Sequence, residues 1–317
     1  MSYVFFLFQQ TMYFTIPLMV VALGALYSER SGVINIALEG IMVMGAFVSV
    51  LFIHTFEGQL SGQAMLLAAL AIAAASGAVF SLLHAYASIH MKANQVISGT
   101  ALNMMAPAFA IYIARMIQGV QQIQFTNTFR IEKVPVLGDI PFLGPLFFQK
   151  AYITTYLGVA ILILAATVMY KTRFGLRLRS CGEHPQAADS VGISVYKMRY
   201  AGTLISGALA GAGGLIFIVP TTVNFNATVA GYGFLALAVL IFGQWKPYRI
   251  ALAALFFGFM KTVSAAYSGI PLLADLGINS YFYKMIPYIA TLVVLIFSSK
   301  NSQAPKAEGI PYDKGAR

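Results

Sequence analysis

Residues 151–180 read AYITTYLGVAILILAATVMYKTRFGLRLRS and indicate which solvent this chain folds in. The run 151–171 is apolar and long enough to cross the hydrocarbon core of a bilayer as a helix. A run of Lys and Arg follows it, and such a run stays on the cytoplasmic side by the positive-inside rule. The stretch therefore predicts one membrane-spanning helix and its direction.

Composition extends this interpretation to the whole chain. Of its 317 residues 59% are hydrophobic and only 9% are charged, and the mean hydropathy is +0.78. A soluble domain has about 25% charged residues, so the solvent of this chain is lipid. The net charge of +10 fits basic cytoplasmic loops better than a nucleic-acid partner. A single cysteine, Cys181, excludes an internal disulfide and a thiolate metal cluster.

Apolar runs of about 20 residues recur along the chain and predict helical spans. They cover 3–27, 33–54, 63–86, 95–116, 151–171, 200–220, 249–268 and 282–299. A shorter run, 229–244, fits a half-helix or a broken span. The sequence thus predicts an all-α polytopic transmembrane helical bundle of about 8–10 spans with one or more broken or short helices. No strands are expected in these runs, because they do not alternate.

Lys and Arg give the orientation. Segment 171–199 is placed in the cytoplasm within a transmembrane domain 1–299, and the loop 117–150 is placed outside. The polar tail 300–317 is expected to be cytoplasmic and disordered. A re-entrant 229–244 would put this basic tail outside, so a crossing, straight or broken, is favoured.

The chain shows no catalytic constellation. It lacks a P-loop and a zinc-type histidine spacing, so the sequence predicts neither an enzyme nor a metal site. Any energy must come from a partner or an ion gradient. The glycine-rich GALAGAGGL (207–215) lies in an apolar span and predicts close helix packing.

Polar residues inside spans are costly and therefore informative. Asn35 and Glu39 lie four residues apart and share one helical face. Glu39 is either a paired structural carboxylate, with Arg30 as a candidate partner, or a proton-coupling site. The residues that open the span 95–116 either cap and cross-link helices or line a polar conduit. The candidate substrate-pathway residues are Asn35, Glu39, Asn94, Gln95, Ser98, Asn103, Asn224, Asn226 and Tyr232.

The segment SCGEHPQAADSVGI (180–193) is the polar exception in the middle of the chain. Pro185 favours the start of a short helix, and Gly182 and Gly192 are expected to break the chain on either side. The segment is either an ordinary charged loop or a short helix lying on the cytoplasmic face.

QAADSVG (186–192) resembles the coupling motif of bacterial ABC-importer permeases, in which Glu-Ala-Ala is followed by three residues and Gly. Here Gln186 stands in place of the Glu. The wider chain, from Ser28 to Phe259, is similar to the nucleoside branch of the branched-chain amino acid, ribose and nucleoside permease group. The stretches that carry this similarity are SERSGVINIALEGIMVMGAF (28–47), NQVISGTALNMM (94–105) and GYGFLALAVLIFGQWKP (231–247).

The resemblance implies a non-catalytic permease subunit of an ATP-driven importer in the bacterial inner membrane. It implies a longer permease paralogue, an ATP-binding cassette ATPase that holds ATP and Mg, and an extracytoplasmic substrate-binding lipoprotein as partners, with no cofactor in this chain. The implied solute is small, neutral and heterocyclic: a nucleoside, or alternatively riboflavin. An ion-coupled secondary transporter using Glu39 is the rival class. The implied ATPase-coupling residues are Gly182, Glu183, His184, Pro185, Gln186, Ala187, Ala188, Asp189 and Gly192.

Overall fold

The structure is a computed structural model that describes residues 2–60, 62–267, 279–298 and 303–315. The helices of this part are α1 (Ser2–Arg30), α2 (Leu38–Thr55), α3 (Gly62–Ile89), α4 (Gln95–Gln118), α5 (Ile153–Lys171), α6 (Arg173–Glu183), α7 (Pro185–Ser190), α8 (Val195–Thr221), α9 (Tyr232–Phe242), α10 (Pro247–Ala266) and α11 (Ser280–Ser298). The strands are β1 (Ile123–Gln124), β2 (Ile131–Lys133), β3 (Gln149–Ala151) and β4 (Asn224–Phe225).

Within the described residues, seven helices are long and apolar enough to cross a membrane: α1–α5, α8 and α10. The predicted run 282–299 coincides with α11. The last residue of the run 282–299 and the last residue of the run 249–268 lie outside the described residues. The 11-residue α9 accounts for the short run 229–244. The prediction of an all-α polytopic bundle with a short helix is confirmed.

Helix α8 lies at the centre of the bundle and packs against α1, α2 and α3. Its glycines permit this approach. A Cβ at Gly211 would meet the carbonyl oxygen of Ala73 on α3, and a Cβ at Gly214 would meet that of Met42 on α2. Small residues let helices approach closely in lipid, where no hydrophobic force drives them together. The packing role predicted for 207–215 is confirmed.

A non-helical segment precedes helix α9, which is therefore a short helix and not a full span. After α8 the chain forms β4, which pairs antiparallel with β1 of the loop 117–150. α9 then begins at Tyr232, and Gly233 packs against the backbone of Glu39 in the first turn of α2. Its 11 residues span about 16 Å, roughly half of the hydrocarbon core.

The two ends of the bundle differ in structure. We call the end that carries the four strands the strand end, and the end that carries α6, α7 and residues 303–315 the basic end. The sequence predicts no strands in the spans, and the four strands lie between the spanning helices. The pairs β1–β4 and β2–β3 are both antiparallel.

Residues 303–315 are ordered against the basic end, which corrects the disorder expected from their composition. The amide of Gly309 donates to the carbonyl of Gly32, just after α1, over 3.2 Å. Arg199, almost fully buried at the start of α8, donates from Nη1 to the carbonyl of Ile310 over 2.9 Å. These partners are far apart in sequence, so a local composition rule does not detect the contact.

Candidate functional site

A non-helical segment, residues 31–37, separates α1 from α2 inside the bundle. Side chains of α4 hydrogen-bond to the backbone of this segment. The amide of Ile34 donates to Gln95 Oε1 over 2.7 Å, and Asn103 Nδ2 donates to the carbonyl of Ile36 over 2.8 Å. A buried backbone group left unpaired costs about 1–3 kcal/mol, so these two amides hold the break in shape.

His84 and Ser98 complete this network from α3 and α4. His84 Nε2 lies 2.8 Å from the carbonyl oxygen of Ile34, and His84 Nδ1 lies 2.8 Å from Ser98 Oγ. A carbonyl only accepts, so Nε2 carries the proton and Nδ1 accepts from the Ser98 hydroxyl in the neutral ring. The side chain is fully buried and serves to order the break.

Asn35 is the polar side chain at the centre of this break and is fully buried. Its Nδ2 donates to Ser206 Oγ on α8 over 2.8 Å. Its Oδ1 and the Nε2 of Gln95 are buried without a partner among the described residues. Such groups are normally satisfied by water or ligand in a folded protein, so this region has unused hydrogen-bonding capacity.

The Glu39 carboxylate caps helix α9. Its Oε1 accepts from the amide of Gly231 over 2.9 Å, and its Oε2 accepts from the amide of Gly233 over 2.7 Å. The first amides of a helix lack intrahelical acceptors and carry partial positive charge, which favours a carboxylate there. The pairing with Arg30 considered from sequence does not form, because Arg30 Nη1 lies 3.4 Å from Glu183 Oε1 instead.

A cavity of about 470 Å³ lies beside the start of α9, between α9, α10 and α11. Lys261 stands on its wall, half-buried, with Nζ 6.0 Å from the centroid of the Tyr232 ring. No carboxylate lies within ion-pairing distance of Lys261 in the described residues. The Tyr232 hydroxyl is likewise buried without a described partner. The lining also includes Gly231, Phe234, Leu235, Pro287, Thr291 and Leu292.

Three predicted pathway residues lie elsewhere. Asn94 is exposed and caps α4, where its Oδ1 accepts from the amides of Val96 and Ile97 over 2.9 and 3.2 Å. Asn224 belongs to β4 at the strand end, and Asn226 beside it is exposed. The structure therefore groups Asn35, Gln95, Ser98 and Asn103 at the α1–α2 break, and Glu39 with Tyr232 at the start of α9. The pathway roles of all nine residues stay predictions.

The segment 180–193 forms a short helix, α7, with Pro185 at its first position. Pro185 and Ala188 are buried, whereas His184, Gln186, Ala187 and Ser190 are exposed on the opposite side. Gly192 has a φ of +83° and ends the segment as predicted. Gly182 is not a breaker: it lies inside α6, where a Cβ would collide with the carbonyl oxygen of Arg30.

The ordered tail, residues 303–315, links this short helix to the α1–α2 break. The amide of Ala307 donates to the carbonyl of Gly182 over 2.8 Å. Tyr312 is buried against Ala188, one residue from Asp189 of α7. With the bond from Gly309 to Gly32, the tail contacts α6, α7 and the break.

Lys261 and His84 are the residues that sequence reasoning missed. Lys261 is a lone cation inside the apolar run 249–268, and an ionisable residue at such a position indicates a functional site. His84 is similarly a lone polar ring in the run 63–86. The rule that singled out Glu39 would have found both residues.

The chain matches the family described as branched-chain amino acid transport system / permease component over residues 7–295. It is 46% identical over 309 residues to the guanosine ABC transporter permease protein NupQ of Bacillus subtilis, covering 97% of this chain and 96% of that protein. It is 41% identical over 302 residues to the nucleoside ABC transporter permease protein NupC of Lactococcus lactis, covering 95% and 94%.

A second, more distant similarity is to the guanosine ABC transporter permease protein NupP of Bacillus subtilis. The identity is 28% over 251 residues, which cover 77% of this chain but 70% of that protein. NupP is therefore longer than this chain. No solved structure matches the chain.

Proposed function

The chain belongs to the branched-chain amino acid transport system permease family, and from that membership we propose that it forms half of a transmembrane pathway for a nucleoside. As a permease component it is a multi-pass, non-catalytic membrane subunit. The observation that supports the solute is the 41–46% identity, over nearly the whole chain, to permeases named for guanosine and nucleosides. The same relatives do not favour riboflavin or ion-driven transport.

The cavity beside α9 suits such a solute. Ligand sites are concave, mostly apolar and about 300–1,000 Å³ in volume, with a few polar groups that fix orientation. The cavity of about 470 Å³ lies in this range. Phe234 offers aromatic surface for a flat base, and Lys261 offers hydrogen-bond donors for its polar edge. The Thr291 hydroxyl donates to the carbonyl of Pro287 over 2.7 Å and so offers an acceptor.

The partners in this proposal are the ones that the family resemblance implies. A longer permease forms the other half of the pathway, and the similarity to the longer NupP supports such a paralogue. An ATP-binding cassette ATPase binds ATP and Mg and docks on α7. An extracytoplasmic lipoprotein delivers the solute, and the membrane is the bacterial inner membrane.

The test of the solute is uptake into vesicles that contain the complete complex and its binding protein. Labelled guanosine and riboflavin are offered separately, with ATP supplied on the ATPase side or withheld. We expect guanosine entry that requires ATP. Riboflavin entry alone would overturn the solute, and entry that a protonophore abolishes without any need for ATP would overturn the transporter class.

A substitution in the cavity tests whether the solute passes there. We expect Lys261→Met to reduce guanosine uptake about tenfold, because a lost hydrogen bond of about 1.4 kcal/mol has that effect. Lys150→Met, at the strand end and outside this cavity, is the matched control. Uptake that Lys261→Met leaves unchanged would remove the cavity from the pathway.

The exposed side of α7 tests the docking of the ATPase. Ala187→Arg adds a large charged side chain to that side, whereas Ala187→Ser keeps its size. We expect the first variant, but not the second, to lose uptake while the complex still hydrolyses ATP. Equal uptake by both variants would move the docking surface elsewhere.

A further inference from the structure

A second cavity, of about 330 Å³, opens at the basic end between the last turn of α5 and the first turn of α10. It is distinct from the cavity beside α9 and shares no residue with it. The proposed function does not use it. Its lining includes Thr167, Tyr170, Lys171, Lys246, Pro247 and Tyr248.

The charged side chains that line this cavity are both positive. Lys171 and Lys246 stand at its rim, and no Asp or Glu contributes to its lining. Neither lysine is in an ion pair within the described residues. A third cation is close, because the guanidinium carbon of Arg179 lies 4.8 Å from the centroid of the Tyr170 ring. Like charges left together without a counter-ion indicate a site for an anion.

The start of α10 adds hydrogen-bond donors. Pro247 occupies its first position and has no amide hydrogen. The helical hydrogen bonds of α10 begin at Ile250, whose amide donates to the carbonyl of Lys246 over 2.9 Å. The amides of Tyr248 and Arg249 precede that bond and have no acceptor within the described part of the chain; of these two residues, Tyr248 lines the cavity. Free amides and the positive end of the helix dipole at one place are the usual setting for a bound phosphate.

Beyond the cavity, α10 presents an exposed apolar face. Tyr248, Leu252, Leu255 and Phe259 recur at helical spacing along one face of α10, and their exposed fractions are 69%, 68%, 39% and 44%. A tyrosine at the mouth of a cavity, with aliphatic side chains below it, is typical of the level where lipid headgroups meet acyl chains. An anion bound here would therefore have an apolar surface on which its hydrocarbon part could lie.

From the cavity, its unpaired cations, the free amides and this apolar face together, we propose that the site binds the phosphate of an anionic phospholipid from the cytoplasmic leaflet. The positive-inside rule puts the basic end in the cytoplasm, where anionic headgroups attract basic pockets between helices. Free inorganic phosphate offers the same chemistry but makes no use of the apolar face. The inference is independent of the solute that the chain transports.

The test is native mass spectrometry of the full-length chain purified within its complex, in detergent with added phosphatidylglycerol or phosphatidylcholine. We expect phosphatidylglycerol to be retained at least tenfold better than phosphatidylcholine. Lys171→Gln with Lys246→Gln should abolish that preference. Lys197→Gln with Lys314→Gln also removes two exposed lysines, neither of which lines the cavity, and this charge-matched control should keep the preference.

Two further measurements keep the result decisive. The double variant Lys171→Arg with Lys246→Arg retains both charges, and we expect it to bind phosphatidylglycerol, which separates a lost site from a damaged fold. Inorganic phosphate at millimolar concentration should not displace the lipid. Equal retention by the Gln variant, or displacement by inorganic phosphate, would overturn the lipid assignment.

Discussion

Removing the Glu39 carboxylate should release the start of α9 from α2. In Glu39→Ala, the amides of Gly231 and Gly233 lose acceptors at 2.9 and 2.7 Å. A hydrogen bond to a charged group contributes about 1.5–3 kcal/mol. Glu39 is only partly buried, so water can replace part of these two hydrogen bonds. We therefore take the low end of their summed contribution, about 3 kcal/mol. At about 1.4 kcal/mol per tenfold, local opening of α9 should become about a hundred times more frequent.

Hydrogen exchange of the purified complex measures this opening directly. In Glu39→Ala, peptides that cover 229–236 should exchange about a hundredfold faster than in the unaltered chain, while peptides from α3 should not change. Glu39→Gln keeps one amide oxygen as an acceptor of ordinary strength, so its effect should be about tenfold. Unchanged exchange in Glu39→Ala would refute the capping argument. Loss of ATP-driven uptake in Glu39→Gln without faster exchange would instead indicate that the carboxylate titrates during transport.

Three further predictions concern packing, protonation and capping. Gly211→Ala should destabilise the bundle by about 1–3 kcal/mol and lower the yield of folded protein on gel filtration, because the new Cβ meets the Ala73 carbonyl. Burial raises the pKa of Glu308, which lies against the Glu29 carboxyl. The docked tail therefore binds that proton more tightly than a released tail does, so its docking should weaken as pH rises through this raised pKa, and Glu308→Gln should flatten the pH profile of tail proteolysis. Asn94→Ala removes a cap worth about 1 kcal/mol and should lower thermal stability while guanosine uptake persists.

Most of the helices could be predicted because lipid imposes length and composition on each span separately. The run 200–220 lies within α8, and 249–268 largely coincides with α10. The run 33–54 is less accurate, because α2 starts only at Leu38. Side chains of α3 and α4 hydrogen-bond to the backbone of the segment before α2 and keep that segment non-helical. Partners so distant in sequence leave no local pattern.

The features of the candidate site were also predictable only where their signal is local in the sequence. The short helix α7 follows from Pro185 and Gly192, which act on their own neighbourhood, so it is visible in the sequence. The role of Glu39 as a cap for another helix, and the order of residues 303–315, depend on contacts across the whole chain. Lys261 is different, since its position in an apolar run is a local signal that was available.

The docked tail has a consequence for biosynthesis. The carbonyl of Gly32 receives its partner only when Gly309, far later in the chain, has been made. Until then, the guanidinium of Arg199 lacks the carbonyl of Ile310 that it binds in the finished protein. A chain that stops before Gly309 would therefore keep a buried cation without this partner and the Gly32 carbonyl without its donor. We expect membrane quality control to remove such products, so that only chains that carry residues 303–315 enter the transporter.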